Sequence, residues 1–219
     1  MSGVLLALAA VANTAQNILK KQFSLRCPSG VYLFNAIMSL AALAFFAVSA
    51  TWHTVSPALI GYSAAFALSF LVASGFTVLA IQCGSLAKTV LILSYSLLIP
   101  TIVGILFWSE PLTITGILGF MLLLASLFLT NYKKSDAAAS FSWKWVLFVS
   151  LAFFGNGMCS VIQRMGQKHD SNGSMLMVMA LAMVTVVFFL LGLIKEKGPV
   201  ADVTVKKGWH LAVICGLLN

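Results

Sequence analysis

Uninterrupted apolar runs constrain this chain more than any other feature, because a helix rising about 1.5 Å per residue needs about 20 apolar residues to cross roughly 30 Å of hydrocarbon. Breaks at charged or Pro/Gly-marked positions divide the sequence into seven such runs, at 3–22, 31–51, 58–82, 87–108, 112–131, 145–166 and 175–194. An eighth run, 208–219, holds about a dozen residues, too few to cross. A bilayer interior tolerates only helices or closed barrels, and a barrel would show segments of about 10 residues alternating in polarity. No such alternation occurs, so the expected fold is an all-α polytopic membrane protein. Composition agrees: 8% of residues are charged against roughly 25% in soluble domains, too few to coat a wet surface. The first run meets Gln16 and Lys20 and is followed by more apolar chain, which predicts a retained span and not a cleaved signal peptide.

The net charge of +8 comes from Lys and Arg residues placed singly or in pairs at the ends of apolar runs. That is the pattern of a membrane protein sorted by its cytoplasmic cations, and with no basic stripe on a polar face, nucleic acid is not an expected partner. Trp52, Trp108, Trp143, Trp145 and Trp209 all lie at run ends, where indole rings favour the interface. Cys27, Cys83, Cys159 and Cys215 never form a C-x-x-C pair, and His53, His169 and His210 stand near run ends, so no metal or other cofactor is expected. Signatures of intramembrane catalysis are absent: there is no H-E-x-x-H, no G-x-S-x-G and no pair of carboxylates within a run. The chain is expected not to be an enzyme.

Sliding the sequence against itself by 143 positions pairs the first run with the sixth and the second with the seventh. Leu8 meets Leu151, Ala9 meets Ala152, Asn13 meets Asn156, Lys21 meets Arg164, Gly30 meets Gly173, Leu33 meets Leu176, and Phe45-Phe46 meets Phe188-Phe189. A period covering five helices makes an odd number of crossings, so the second copy is expected to be inverted relative to the first. The expected organisation is a first five-helix repeat at 1–132, a linker at 133–142, and a truncated second repeat at 143–219 that would need about three more helices for completion.

The run 84–130, GSLAKTVLILSYSLLIPTIVGILFWSEPLTITGILGFMLLLASLFLT, resembles the fourth and fifth helices of the first repeat in the drug/metabolite transporter superfamily, most closely its EamA-like branch. The shared features are a small-residue entry to the fourth helix, Pro100 deep within it, the turn at Glu110 and Leu112-Thr113, and Gly116 and Gly119 early in the fifth helix. The resemblance implies a ten-helix fold of two inverted repeats around a central cavity that alternates its access and carries a small metabolite.

Polar side chains within a span normally face the bundle interior. Asn13, Gln16 and Asn17 fall on one face of the first helix, and Asn156, Ser160 and Gln163 on one face of the sixth. Both sets read as strips lining a substrate cavity or as hydrogen-bonding glue between helices. Ser94 and Tyr95 on the fourth helix add hydroxyls, although the Tyr95 ring could equally be packed. Pro100 should kink that helix and free backbone carbonyls. Lys88 is a secondary candidate for an anionic solute, with snorkelling to the interface as its plainer reading. Glu110, followed by Pro111, reads as a helix cap. No Asp or Glu lies in the middle of a run, so the usual carboxylate proton relay is missing and facilitated movement or exchange fits better.

These features predict a multi-pass transporter of a small-molecule solute in the plasma membrane, with lipid around it. The rival reading is a non-transporting helical scaffold whose amides serve only packing. The odd-numbered connectors hold Lys20, Lys21, Arg26, Lys88, Lys133, Lys134, Lys144, Lys195, Lys197, Lys206 and Lys207, whereas the even-numbered ones hold Arg164 and Lys168. That bias predicts an N-terminus outside the cell. The resemblance instead implies cytoplasmic termini.

Overall fold

The third apolar run starts where its sequence can satisfy the free amides of a helix end. Ser56 accepts the Leu59 N–H on its hydroxyl at 3.1 Å, and Pro57 occupies the first turn, where it has no amide to leave unpaired. The computed structural model describes residues 2–27, 29–50, 55–109, 113–132, 142–168, 173–196 and 208–218. All regular structure among them is helical. In chain order the elements are α1 (Ser2–Arg26), α2 (Val31–Ser49), α3 (Pro57–Cys83), α4 (Leu86–Ser94), a 3-10 turn (Tyr95–Leu97), α5 (Leu98–Trp108), α6 (Ile114–Tyr132), α7 (Trp143–Lys168), α8 (Gly173–Lys195) and α9 (Trp209–Leu217). Glu110, Trp52, His53, His169 and all but the last residue of the expected linker lie outside the described residues.

By length and composition, five helical stretches among the described residues can cross a membrane: α2, α3, the α4–α5 pair taken together, α7 and α8. The chain is therefore an all-helical multi-pass membrane protein. α1 and α6 occupy the first and fifth apolar runs. Large apolar side chains point outward, as a lipid solvent allows: Val48 is 89% exposed and Phe107 is 77% exposed.

Lipid tails are as apolar as leucine, so helices in a bilayer are joined by close packing of small residues and by hydrogen bonds. α3 packs along α7 and α2 along α8, while α9 lies on α1 and α2 and α8 also reaches α3. Gly155 permits the α3–α7 approach, for a Cβ there would stand 2.8 Å from the Ala73 nitrogen and 3.0 Å from the Ser69 carbonyl oxygen. Gly216 does the same where α9 meets α2, with a Cβ falling on the Met38 carbonyl. One apolar cluster joins α2, α3, α7 and α8 around Phe66, Leu176, Val184 and Phe188; a second joins α1, α2, α3 and α9 around Phe23, Phe34, Val78 and Cys215.

Polar ties complement the packing. Asn35 is fully buried on α2; its side-chain oxygen accepts the Ser74 hydroxyl of α3, and its amide donates to the Val31 carbonyl at 2.8 Å. Glu196, just beyond α8, accepts the N–H groups of Tyr32 and Leu33 at 2.7 and 3.0 Å, capping the positive end of α2 with a carboxylate. Burial raises the pKa of its carboxyl, and the Leu33 and Tyr32 N–H groups oppose that rise. Lys21 donates to the Ile81 carbonyl at 3.0 Å, a cation on the negative end of α3. At the other end of the bundle the Arg164 and Lys168 side chains of α7 lie over the Trp108 ring, 5.6 and 4.5 Å from its centroid.

The fourth span breaks three residues before its proline. Pro100 has no N–H to give to the Ser96 carbonyl, and its ring crowds that same group, so the backbone tightens into a 3-10 turn over Tyr95–Leu97 before resuming as α5. The irregularity thus lies upstream of Pro100, at the residues whose hydrogen bonding it disturbs.

Candidate functional site

A cavity of about 490 Å³ lies between α1, α3, the break in the fourth span and α7, within the size range of small-molecule sites. α1 contributes Ala12, Asn13, Gln16, Asn17 and Lys20; α3 contributes Phe70, Ala73, Ser74 and Thr77. Val90, Leu93, Ser94, Ser96 and Leu97 line it from the broken span, with Met38, Asn156 and Leu218 completing the wall. The lining mixes amides and hydroxyls with aliphatic and aromatic groups, and every one of the four segments brings at least one polar side chain.

The α1 stripe follows from spacing. Residues 13, 16, 17 and 20 stand at i, i+3, i+4 and i+7, one face of a 3.6-residue helix. The Asn17 amide donates to the Asn13 carbonyl at 2.9 Å and to its side-chain oxygen at 3.2 Å. The Gln16 amide donates across to the Cys215 carbonyl of α9 at 3.1 Å, and its oxygen accepts the Lys20 ammonium at 3.3 Å. Opposite, Asn156 donates to the Ser96 hydroxyl at 2.6 Å. Ser96 is buried, and the 3-10 turn is what presents it to α7.

Of the substrate-binding residues expected from sequence, Asn13, Gln16, Asn17, Ser94 and Asn156 meet in this one cavity. Tyr95, Ser160 and Gln163 do not line it. Tyr95 is buried beside the stripe formed by residues 90, 93, 94 and 97, and it is Ser96 that supplies the second hydroxyl. Ser160 and Gln163 share the face of Asn156 but stand about 6 and 10 Å farther along the axis, beyond the cavity wall. Ser160 donates weakly back to the Asn156 carbonyl at 3.5 Å. Lys88 is exposed near the start of α4, away from the lining, as a snorkelling lysine would be.

Sequence reasoning placed Lys20 among the connector cations; the structure buries it at 8% exposure on the cavity wall. Its i+4 spacing from Gln16 was the available signal. Ser74 and Thr77 were also missed, because a serine or threonine in an apolar helix commonly bonds its own backbone, as Thr77 does to the Ala73 carbonyl at 2.6 Å. Among the described residues no cluster of His, Cys, Asp or Glu could hold a metal ion. No protein-family model matches the chain, and no curated protein matches it.

Proposed function

We propose that the protein is a transporter of a small solute in the plasma membrane, of the EamA-like branch of the drug/metabolite transporter superfamily. It would work by alternating access through the cavity between α1, α3, the broken fourth span and α7. One observation carries the reading: polar side chains from four separate segments converge on a single cavity within an otherwise apolar bundle. Burying polar groups in a membrane is costly, and such groups commonly mark a solute pathway.

The helix pairing supports an inverted repeat. A two-fold axis exchanging α1, α2 and α3 for α7, α8 and α9 maps the α2–α8 contact onto itself, α3–α7 onto α9–α1, and α3–α8 onto α9–α2; all of these contacts occur. Helix breaks near the midplane are a recurrent feature of transporter sites, and the 3-10 turn at Tyr95–Leu97 supplies one here.

The test is solute uptake into proteoliposomes holding the full-length protein: at least one small solute should accumulate above empty vesicles, and no uptake across a broad solute panel would sink the reading. The scaffold alternative draws on the internal bonds of Asn156 to Ser96 and Gln16 to Cys215, which glue could explain. We place the cation-rich end of the bundle in the cytoplasm, from the excess of Lys and Arg there. A cysteine introduced at Ser135 should then resist an impermeant thiol reagent added outside intact cells, and labelling would reverse the orientation.

A further inference from the structure

Lys20 and Lys21 are adjacent in sequence and differ in employment. The Lys21 ammonium is taken up by the Ile81 carbonyl at the end of α3. Lys20 instead faces the cavity, buried, and its one hydrogen bond among the described residues is to the neutral Gln16 side chain at 3.3 Å. An ammonium carries three donors, and a cation removed from water is costly unless an anion accompanies it. Among the described residues no carboxylate lines this cavity. Of the five acidic residues in the sequence only Glu196 is among those described, and its two oxygens are occupied by the N–H groups of Tyr32 and Leu33.

A wall whose described residues hold one cation, several neutral hydrogen-bonding groups and no negative charge is complementary to an anion that also has an uncharged part. We infer that the transported solute is a small organic anion whose carboxylate, phosphate or sulfonate group docks on the Lys20 ammonium. Its uncharged part lies toward Asn13, Ser94 and Asn156, among the aliphatic groups that share the lining with them. Residues 13 and 20 are about 10 Å apart along the α1 axis, so the solute spans a polar end and a charged end of one elongated site. This inference rests on the transporter reading, and deepens it by naming the substrate class.

The experiment needs no identified solute. In protein whose four native cysteines are replaced by serine or alanine, Ser94→Cys places a near-isosteric thiol on the cavity wall. Its reaction rates with an anionic methanethiosulfonate (the ethylsulfonate) and a cationic one (the ethyltrimethylammonium) are measured in detergent at neutral pH. Each rate is divided by that of the same reagent with free 2-mercaptoethanol. The expected result is a preference of about tenfold for the anionic reagent, the size a nearby unpaired charge produces at intermediate dielectric. Lys20→Met should abolish the preference and Lys20→Arg should keep it. Equal normalised rates with Lys20 in place would overturn the anion inference while leaving a water-filled cavity, and with it the transporter reading, intact. A preference that survives Lys20→Met would overturn it equally. No reaction with either reagent would count against the transporter reading itself. Because the first comparison uses the native lysine, the inference stays falsifiable even if Lys20→Met does not fold.

Discussion

Gly155→Val should strongly destabilise the bundle and separate α7 from α3. A side chain at Gly155 has nowhere to go, because its first carbon would already stand 2.8 Å from the Ala73 nitrogen and 3.0 Å from the Ser69 oxygen. Both obstacles are backbone atoms, which no rotamer change can move, so the two helices must part along the most extensive helix contact among the described residues. Overpacking a close-packed site costs about 1 to 3 kcal/mol and sometimes more. In a membrane the loss is compounded, since close approach of small residues is a main source of helix association there. A thermal melt of purified protein in detergent, followed by tryptophan fluorescence, is the check. Gly61→Val is the control, for a Cβ at Gly61 meets nothing within 4 Å. Equal melting temperatures for the two variants would contradict the account of how α3 and α7 are joined.

Asn156→Leu should reduce affinity for the solute by about 1 to 3 kcal/mol if its amide bonds the solute, since a buried polar partner is then left unpaired. The same substitution should cost less in stability, because hydrogen bonds between membrane helices average only about 0.6 kcal/mol. Asn156 stands on the cavity wall, bonded to Ser96 across the α7 interface, and its equivalent under the 143-residue shift, Asn13, lines the same cavity. Asn13→Leu should behave likewise. The measurement is paired: solute affinity and thermal stability for each variant. A large loss of stability with unchanged affinity would identify the amides as glue and favour the scaffold reading.

Much of this arrangement was legible because membrane helices obey a strict grammar. Run length and the absence of charge set the helices, and 3.6-residue spacing put Asn13, Gln16 and Asn17 on one face, which the structure turns toward the cavity. Depth was harder to read. The same spacing put Ser160 and Gln163 below Asn156, but a face is a stripe, and the cavity occupies only part of its length. Lys20 shows the reverse failure: a lysine near a run end reads as an interfacial anchor, and only the positions of α3 and α9 reveal that it is enclosed. Ser96 depended on a backbone event, since Pro100 disturbs the turn before it and so reorients residues that a regular helix would have aimed elsewhere. Asn35 has no second amide on its face of the run to draw attention to it, yet it is buried completely and ties α2 to α3. The repeat register is uneven for a related reason. Leu33 and Leu176 are both buried, as matched positions should be, whereas Phe188 is buried and Phe45 is 54% exposed, so the apolar matches carry less than the matched asparagines.

Water access to the cavity from both sides of the membrane tests the central claim most directly. In the cysteine-replaced protein, Asn13→Cys is placed in sealed vesicles and exposed to a hydrophilic, impermeant thiol reagent added to one face or the other. A cavity that alternates its opening predicts labelling from each face in turn. Labelling from one face alone, or from neither, would contradict a transporter built around this site.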